Sequence, residues 1–181
     1  MKLFAILAAA LVVSAVQAQN VKIGELNSYK VFPAFLEPYK KGMELALEEI
    51  NASGGVNGRT LELVTRDDGG TPGDAVRVAE ELLSRERVNV LMGTFASNVG
   101  LAVANLANQR KVLFVASEPL TDKLVWENGN RYTFRLRPST YMQVAMLVPE
   151  AAKLKKVRWA IVYPNYEYGQ SATASFKTPG T

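Results

Sequence analysis

Short apolar runs alternate with amphipathic segments along residues 21–177, and this alternation constrains the fold more than any other feature of the sequence. Residues 112–116 are almost all apolar, which is typical of a parallel strand covered on both faces. Met43, Ala46, Leu47 and Ile50 follow the i, i+3, i+4, i+7 spacing of one helical face. Strands and helices that alternate in this way favour an α/β fold.

The apolar runs predict six strands, at residues 21–26, 61–65, 88–92, 112–116, 132–135 and 159–163. The intervening segments predict helices at residues 38–51, at 74–85, after Ser97, at 142–153 and at 170–177. Ser97 stands where the N-cap of the third helix belongs. This order of elements predicts a doubly wound parallel sheet with helices on both faces.

The amino terminus has the pattern of a secretory signal peptide. Met1-Lys2 is a basic start, residues 3–16 are apolar, and Val16 and Ala18 are small residues at a cleavage site. The apolar run is shorter than the roughly 20 residues of a membrane span, and no Cys follows it to carry a lipid anchor. We therefore expect a signal peptide at residues 1–18 and a mature chain outside the cytoplasmic membrane. The alternatives are a buried helix and an uncleaved anchor.

The composition excludes several classes of function. The chain has no Cys and no His, so it lacks disulfides, the usual zinc, iron and copper ligands, and any His-dependent catalytic unit. The formal net charge is +4, and the basic residues form no continuous stripe with interleaved aromatics. Nucleic acid is therefore a poor partner, and neither a cofactor nor a metal is expected.

Ligands of open α/β sheets bind beyond the carboxyl ends of the strands. Four predicted loops lie at that edge: residues 27–35, 66–73, 93–98 and 117–122. In the third loop Gly93 permits a sharp turn, and Ser97 with the amides that follow it is suited to a carboxylate, because a helix start favours negative charge. The alternative is that Ser97 only caps its helix.

Other side chains at this edge are open to two interpretations. Glu118 can accept from a ligand amine or hydroxyl, or be a solvated loop acid. Asp67-Asp68 has the form of a metal or phospho-acceptor pair, although loop hydrogen bonding accounts for it as well. Four aromatic side chains can stack on a flat ligand or pack in the core: Tyr29, Phe32, Phe35 and Phe95. The glycines of residues 54–58 follow a helix rather than a strand, which argues against a dinucleotide loop.

Residues 51–59 (NASGGVNGR), followed by Asp67-Asp68 and Pro72, resemble the amino-terminal lobe of periplasmic binding proteins of the branched-chain amino acid type, which serve ABC importers. Residues 93–97, 132–135 and 168–170 lie at the spacings of that family, and the likeness extends from Val21 to about Phe176. The resemblance implies a type I clamshell without enzymatic activity. Such a protein holds a small molecule between two lobes in the periplasm and delivers it to an ABC permease in the inner membrane.

The resemblance also implies site residues. Ser97 and its neighbouring amides would hold a ligand carboxylate, and residues 117–120 would add polar contacts. Tyr168 of the second lobe would close over the ligand, and Thr140 would lie at a lobe crossing near the cleft. The candidate ligand-binding residues are therefore Tyr29, Thr94, Phe95, Ser97, Asn98, Ser117, Glu118, Thr140 and Tyr168.

Two departures from the family bear on the ligand. Residues 116–121 replace an Ala-Thr pair that helps to bind an amino group, and Thr140 stands where an acid is common. These changes allow an aromatic or other organic acid besides an amino acid, and residues 131–143 and 164–169 resemble family members associated with aromatic acid uptake. A ligand-sensing receptor domain of the same fold is the first alternative. An extracytoplasmic α/β enzyme using Asp67, Asp68 or Glu118 is the second.

Members of this family are about twice as long as this chain. The resemblance therefore predicts a first lobe at residues 19–137 and an incomplete start of a second lobe at residues 138–181, with impaired function. A second-lobe piece of this size cannot cover its own apolar surface. We expect Trp159, Ile161 and Val162 to be under-buried.

Overall fold

The computed structural model describes residues 20–177, so the predicted signal peptide and residues 178–181 lie outside the described part. The strands are β1 (Val21–Asn27), β2 (Leu61–Asp67), β3 (Val90–Gly93), β4 (Leu113–Ala116) and β5 (Thr133–Arg135). The helices are α1 (Pro33–Ala52), α2 (Pro72–Ser84), α3 (Ser97–Arg110), α4 (Thr140–Lys153) and α5 (Glu167–Lys177), with a short 3₁₀ helix at Asp122–Leu124. Within residues 20–177 no helix is both long and apolar enough to cross a membrane.

The five strands form one sheet in the order β2-β1-β3-β4-β5, and every neighbouring pair is parallel. Leu26 of β1 pairs with Gly93 of β3, which pairs in turn with Ala116 of β4. The carboxyl ends of these three strands are therefore level at one edge of the sheet. The predicted doubly wound parallel fold is confirmed.

The main core lies on the face of the sheet covered by α2 and α3. Leu26, Leu91 and Phe114 point into it from three adjacent strands and are fully buried. Leu82 of α2 and Val103 of α3 meet them from the helix layer, and both are fully buried as well. Burial of apolar surface stabilises a fold by roughly 25 cal/mol per Å² removed from water, so this layer stabilises the described part of the chain.

Helix α1 lies on the opposite face and begins at Pro33, five residues before the predicted start. Proline is well tolerated in the first helical turn, where its missing N–H has no intrahelical acceptor, and this explains the earlier start. The predicted apolar face of α1 lines a cavity of about 520 Å³ between the helix and the sheet. Ile23 and Met92 form part of its opposite wall.

The predicted sixth strand at residues 159–163 does not form. A strand requires a neighbour for its backbone hydrogen bonds, and after β5 the described chain supplies only α4 and α5. Trp159, Ile161 and Val162 are 47%, 38% and 98% exposed, so their predicted under-burial is confirmed. The last helix begins at Glu167 rather than at residue 170 and packs on α4.

Candidate ligand-binding site

The loops after β1, β3 and β4 meet at the carboxyl edge of the sheet, as predicted. Strand β1 lies between β2 and β3, so the chain leaves β1 toward one side and later returns to its other side. Such a reversal of strand order is the topological switch point at which open α/β sheets bind ligands. The crevice between the ends of β1 and β3 is therefore the candidate ligand-binding site.

Gly93 makes the sharp corner between β3 and α3. Its φ is +118°, and a Cβ added there would lie 2.3 Å from the carbonyl oxygen of Leu26. Thr94 follows with φ +61°, is fully buried, and donates its N–H to the same oxygen at 2.8 Å. Only glycine permits this close approach of two strands, and the corner sets the direction in which Phe95 and α3 leave the sheet.

Ser97 does not cap α3, in contrast to both the predicted N-cap position and the capping alternative. The N-cap is Ala96, and Ser97 is the first helical residue. Its Oγ accepts hydrogen bonds from the N–H groups of Leu120 and Thr121, both at 3.2 Å. Ser97 is 1% exposed, and through these two hydrogen bonds its side chain connects the loop after β3 to the loop after β4.

The start of α3 is consequently open. Thr71 caps α2 and Ser139 caps α4 through their hydroxyl groups, whereas within the described chain no side chain caps α3. The first amides of α3 lack intrahelical acceptors and carry the positive end of the helix dipole. Both lone pairs of Ser97 Oγ are taken by loop amides, so this residue offers its O–H proton to an acceptor. Asn98 is the half-buried second residue of the helix.

Three phenylalanine rings surround the switch point. The ring of Phe95 lies 4.6 Å from that of Phe32 and 5.5 Å from that of Phe35, measured between centroids. Phe35 is 66% exposed, so this aromatic cluster is not a sealed part of the core. The structure thus places three of the four predicted aromatic residues together beside the start of α3.

The fourth aromatic residue, Tyr29, turns toward β1. Its hydroxyl donates to Glu25 Oε2 at 2.9 Å. Glu25 is fully buried, and its Oε1 has no hydrogen-bond partner among residues 20–177. Burial raises the pKa of Glu25 from its usual 4.5 to about 8, and the interactions with the Tyr29 and Asn27 side chains only partly offset this rise. Glu25 is therefore mostly a neutral acid at pH 7.

Tyr39 of α1 and Ser117, the residue after β4, complete this group. Burial raises the pKa of Tyr39, with the Glu25 and Glu118 carboxylates adding to the rise and the Ser117 hydroxyl opposing it. In the described chain neither hydroxyl has a partner at strict hydrogen-bond geometry, but the two hydroxyls interact with each other. We call Glu25, Tyr29, Tyr39 and Ser117 the buried polar cluster. The sequence analysis missed Glu25 and Tyr39, although an acid within an apolar strand is a usable signal.

The acidic candidates have partners within the protein. Glu118 forms an ion pair with Arg137, and its side chain is 18% exposed, so it is not a solvated loop acid. Asp68 Oδ1 accepts from Ser28 Oγ at 2.7 Å, and Asp67 accepts from the Lys30 amide at 2.9 Å. These bonds match the loop hydrogen-bonding interpretation of the Asp pair. Within residues 20–177 no group of three or more acidic side chains could hold a metal ion.

Thr140 lies at a buried joint. Its Oγ1 is 2.6 Å from both Asp122 Oδ2 and Ser171 Oγ of α5. Asp122 also accepts from the Tyr141 amide at 3.0 Å. Thr140 thus connects α4, α5 and the 3₁₀ helix, and Asp122 is a polar residue of this region that the sequence analysis did not single out.

Tyr168 lies in the first turn of α5, with its ring 6.1 Å from that of Tyr166. The preceding residue, Glu167, accepts from Thr121 Oγ1 at 2.8 Å. Since the Thr121 amide also donates to Ser97 Oγ, a short chain of hydrogen bonds joins the start of α3 to the start of α5. The structure therefore brings Ser97, the β4 loop and the segment carrying Tyr168 into one region.

The switch-point crevice and the open helix start suit the binding of a small anionic molecule. Residues 21–178 match the family described as periplasmic binding protein, and the chain belongs to that family. The resemblance inferred from the sequence is thereby confirmed. Because this is a family of solute-binding proteins, the prediction that the chain is not an enzyme is confirmed too.

Individual relatives are consistent with this assignment. The chain is 33% identical to the Leu/Ile/Val-binding protein homolog 7 of Brucella suis biovar 1 (strain 1330), over 97% of this chain and 46% of the relative. It is also similar to an ABC transporter substrate-binding protein from Desulfitobacterium hafniense in complex with Leu, with 25% identity and a TM-score of 0.75, over 87% of this chain and 46% of that one.

A third similarity concerns the fold alone. A solute-binding protein of an ABC transporter from Rhodopseudomonas palustris BisB5, in complex with 3,4-dihydroxybenzoic acid, superposes with a TM-score of 0.79 at 24% identity. The match covers 87% of this chain and 43% of that one. The chain thus spans less than half the length of the relatives it matches.

Proposed function

We propose that this chain carries the first ligand-binding lobe, residues 19–137, and the beginning of the second lobe, residues 138–181, of a solute-binding component of an ABC importer. Its ligand is a small organic acid, with an aromatic carboxylate favoured over an amino acid. Residues 1–18 direct it to the periplasm, and an ABC permease in the inner membrane receives the ligand. The family and the relatives that bind Leu or 3,4-dihydroxybenzoic acid support this proposal.

The observation that carries the proposal is the open start of α3 beside an exposed aromatic cluster. Ala96 supplies no capping oxygen, so the first amides of α3 can donate to a ligand carboxylate. The helix dipole contributes about 0.3–1 kcal/mol to such a contact, and each hydrogen bond to a charged group about 1.5–3 kcal/mol. The Ser97 O–H is a further donor at the same place.

The aromatic cluster explains the preference for an aromatic acid. Phe32, Phe35 and Phe95 offer ring faces and edges next to the open helix start. A flat ring gains about 0.5–1.5 kcal/mol from such contacts beyond the burial of its surface. Tyr168 would approach from α5, and ligand contacts with both lobes would favour a closed state.

A thermal melt with a matched ligand panel tests the proposal. The panel contains benzoate, leucine and benzamide, which is the neutral counterpart of benzoate. A ligand at 100 times its Kd adds about 2.7 kcal/mol of stability, which corresponds to a rise in Tm of about 5–10 °C. We expect benzoate to raise Tm more than leucine, and benzamide to have no effect.

The variant Ala96→Ser separates carboxylate binding from general stabilisation. Ala96 has the extended backbone of an N-cap, with φ −74° and ψ 137°, so a serine hydroxyl there would take the open amides. The variant should melt at a higher temperature than the wild type while losing most of the benzoate shift. Ala102→Ser, the same change in the middle of α3, is the control. A full benzoate shift in Ala96→Ser would contradict the proposed position of the carboxylate.

A further inference from the structure

Helix α5 is bonded to the segment after β4 at two successive turns. Glu167 and Ser171 are four residues apart and therefore lie on one face of the helix. Glu167 Oε1 accepts from Thr121 Oγ1 at 2.8 Å, and Glu167 Oε2 lies 3.3 Å from Lys123 Nζ. Ser171 Oγ accepts from the Asp122 amide at 3.4 Å. We call these five residues the clasp.

Asp122 connects the clasp to the first residues of α4. Its Oδ2 accepts from Thr140 Oγ1 at 2.6 Å and from the Tyr141 amide at 3.0 Å. Ser171 Oγ lies 3.4 Å from the same oxygen and 2.6 Å from Thr140 Oγ1, and Thr140 is fully buried. One carboxylate thus holds the start of α4 and the middle of α5 against the 3₁₀ helix.

Polar bonds, rather than buried apolar side chains, fix α5 on the proposed first lobe. Helix α5 has 11 residues, and among its described residues the buried ones are Gly169 and Thr173. A helix of this length is marginal by itself, since isolated helices shorter than about 12–15 residues are poorly populated in water. In the clasp, by contrast, Thr121 is fully buried and the Glu167 side chain is 14% exposed. Hydrogen bonds to such a shielded charge are stronger than those between neutral groups.

The clasp also reaches the candidate ligand-binding site. The Thr121 amide donates to Ser97 Oγ at 3.2 Å, and Ser97 is the first residue of the open helix α3. On the other side, Glu167 directly precedes Tyr168. Thr121 thus bonds to Ser97 through its backbone and to Glu167 through its side chain. Each bond on this path joins two groups of the protein itself, so it does not require a bound ligand.

We propose that Asp122 and Glu167 are positioning residues, which hold α5 and Tyr168 beside the candidate site before a ligand binds. This inference rests on the proposed function for its consequence, which is that the ligand meets Tyr168 already in place. If a ligand binds only when α5 is held in this way, its apparent Kd equals the intrinsic Kd divided by the fraction of molecules with α5 held. The clasp therefore raises affinity through residues that do not contact the ligand.

Amide hydrogen exchange of the ligand-free protein, read by mass spectrometry, tests the clasp. Glu167→Ala removes the acceptor of Thr121 and the partner of Lys123, so exchange at residues 171–177 should become about tenfold faster or more. Glu167→Gln keeps an acceptor for Thr121 and should restore part of the protection. Glu150→Gln is the matched control, because it breaks an exposed ion pair within α4 and should change nothing. The amides of α2 report whether each variant folds.

Calorimetric titration with benzoate tests the consequence for binding. Tyr168→Ala should weaken the binding of benzoate by the wild type several-fold. The same change should have a much smaller effect in the double variant Asp122→Ala/Glu167→Ala, because Tyr168 is no longer held beside the site. Such non-additivity is expected of residues that act through Tyr168, whereas a purely structural loss would leave the effect of Tyr168→Ala unchanged.

The outcomes separate this inference from the proposed function. If α5 exchanges equally fast in the wild type and in a folded Glu167→Ala, or if wild-type α5 is protected only when benzoate is added, the clasp is overturned and the proposed function stands. An equal effect of Tyr168→Ala in both backgrounds overturns the positioning role. If Glu167→Ala speeds exchange but the wild type binds no benzoate, the clasp is supported and the aromatic carboxylate of the proposed function is overturned. Where Glu167→Ala does not fold, Glu167→Gln compared with Glu150→Gln gives the same test.

Discussion

Glu25→Gln should change the pH dependence of stability. Burial raises the pKa of Glu25 to about 8 in the folded protein, against 4.5 for the ordinary side chain. Between these pH values the folded state holds a proton that the unfolded state has released. The free energy of unfolding therefore decreases as pH rises through this window. Glutamine is nearly isosteric, still accepts the hydrogen bond from Tyr29, and carries no titratable proton.

The magnitude follows from the linkage between proton binding and folding. One proton difference corresponds to about 1.4 kcal/mol per pH unit. From pH 5 to pH 7 the wild type should lose about 3 kcal/mol through Glu25, and the Gln variant should lose none of this. The variant should therefore be clearly more stable than the wild type at pH 7 and similar to it near pH 4.5.

Urea denaturation at pH 5, 6 and 7 measures this difference, with m-values compared to confirm that the unfolding transition is the same. Glu62→Gln is the matched control, because Glu62 is exposed and pairs with Lys22 at the surface. Its pH profile should run parallel to that of the wild type. A Glu25→Gln profile that also runs parallel would refute the argument that Glu25 is buried as a neutral acid.

Three further predictions follow from the packing, and the last of them includes a control substitution. Leu82→Ala removes a fully buried side chain of α2 and should cost about 2–5 kcal/mol in urea denaturation; a loss below 1 kcal/mol would contradict its place in the core. Ser97→Ala leaves the amides of Leu120 and Thr121 without their acceptor, so it should lower the free energy of unfolding by about 1–3 kcal/mol and weaken carboxylate binding. Unchanged stability and ligand affinity would contradict the link between the β3 and β4 loops. Gly93→Ala should prevent normal folding, because its Cβ would lie 2.3 Å from the carbonyl oxygen of Leu26. Gly42→Ala in α1 is the control: its Cβ meets nothing within 4 Å, so it should stabilise the protein by up to about 1 kcal/mol. Far-ultraviolet circular dichroism and thermal melts of both variants distinguish these results.

The sheet could be predicted from sequence because its signals are local. The apolar run at residues 112–116 forms β4 at Leu113–Ala116, although only one face is fully buried, through Phe114 and Ala116, and Leu113 is 42% exposed. Residues 159–163 carry a similar pattern and form no strand. An apolar sequence pattern indicates that a segment favours burial, but the segment forms a strand only when a neighbouring strand pairs with its backbone N–H and C=O groups. That condition depends on the rest of the chain.

The site was predictable in position and less so in detail. Parallel strands bring their following loops to one edge, so the candidate loops followed from the order of the elements. The two amides that occupy Ser97 Oγ come from a loop more than 20 residues away, which local pattern does not reveal. Glu25 was not predicted from the sequence because β1 lies between β2 and β3 inside the sheet. The alternation of side chains along such a strand offers no solvent-facing side to which an acid can be assigned.

The position of β1 inside the sheet has a consequence for the growing polypeptide. The first strand to leave the ribosome pairs with β2 on one side and with β3 on the other, after which β4 and β5 add successively beyond β3. The sheet therefore extends in a single direction once the chain has returned past β1, with one advancing border of unpaired backbone groups. Within residues 20–177 the strands that form this border contain 4, 4 and 3 residues, so β5, the last strand of this part, offers the shortest of these templates for pairing with a second nascent chain.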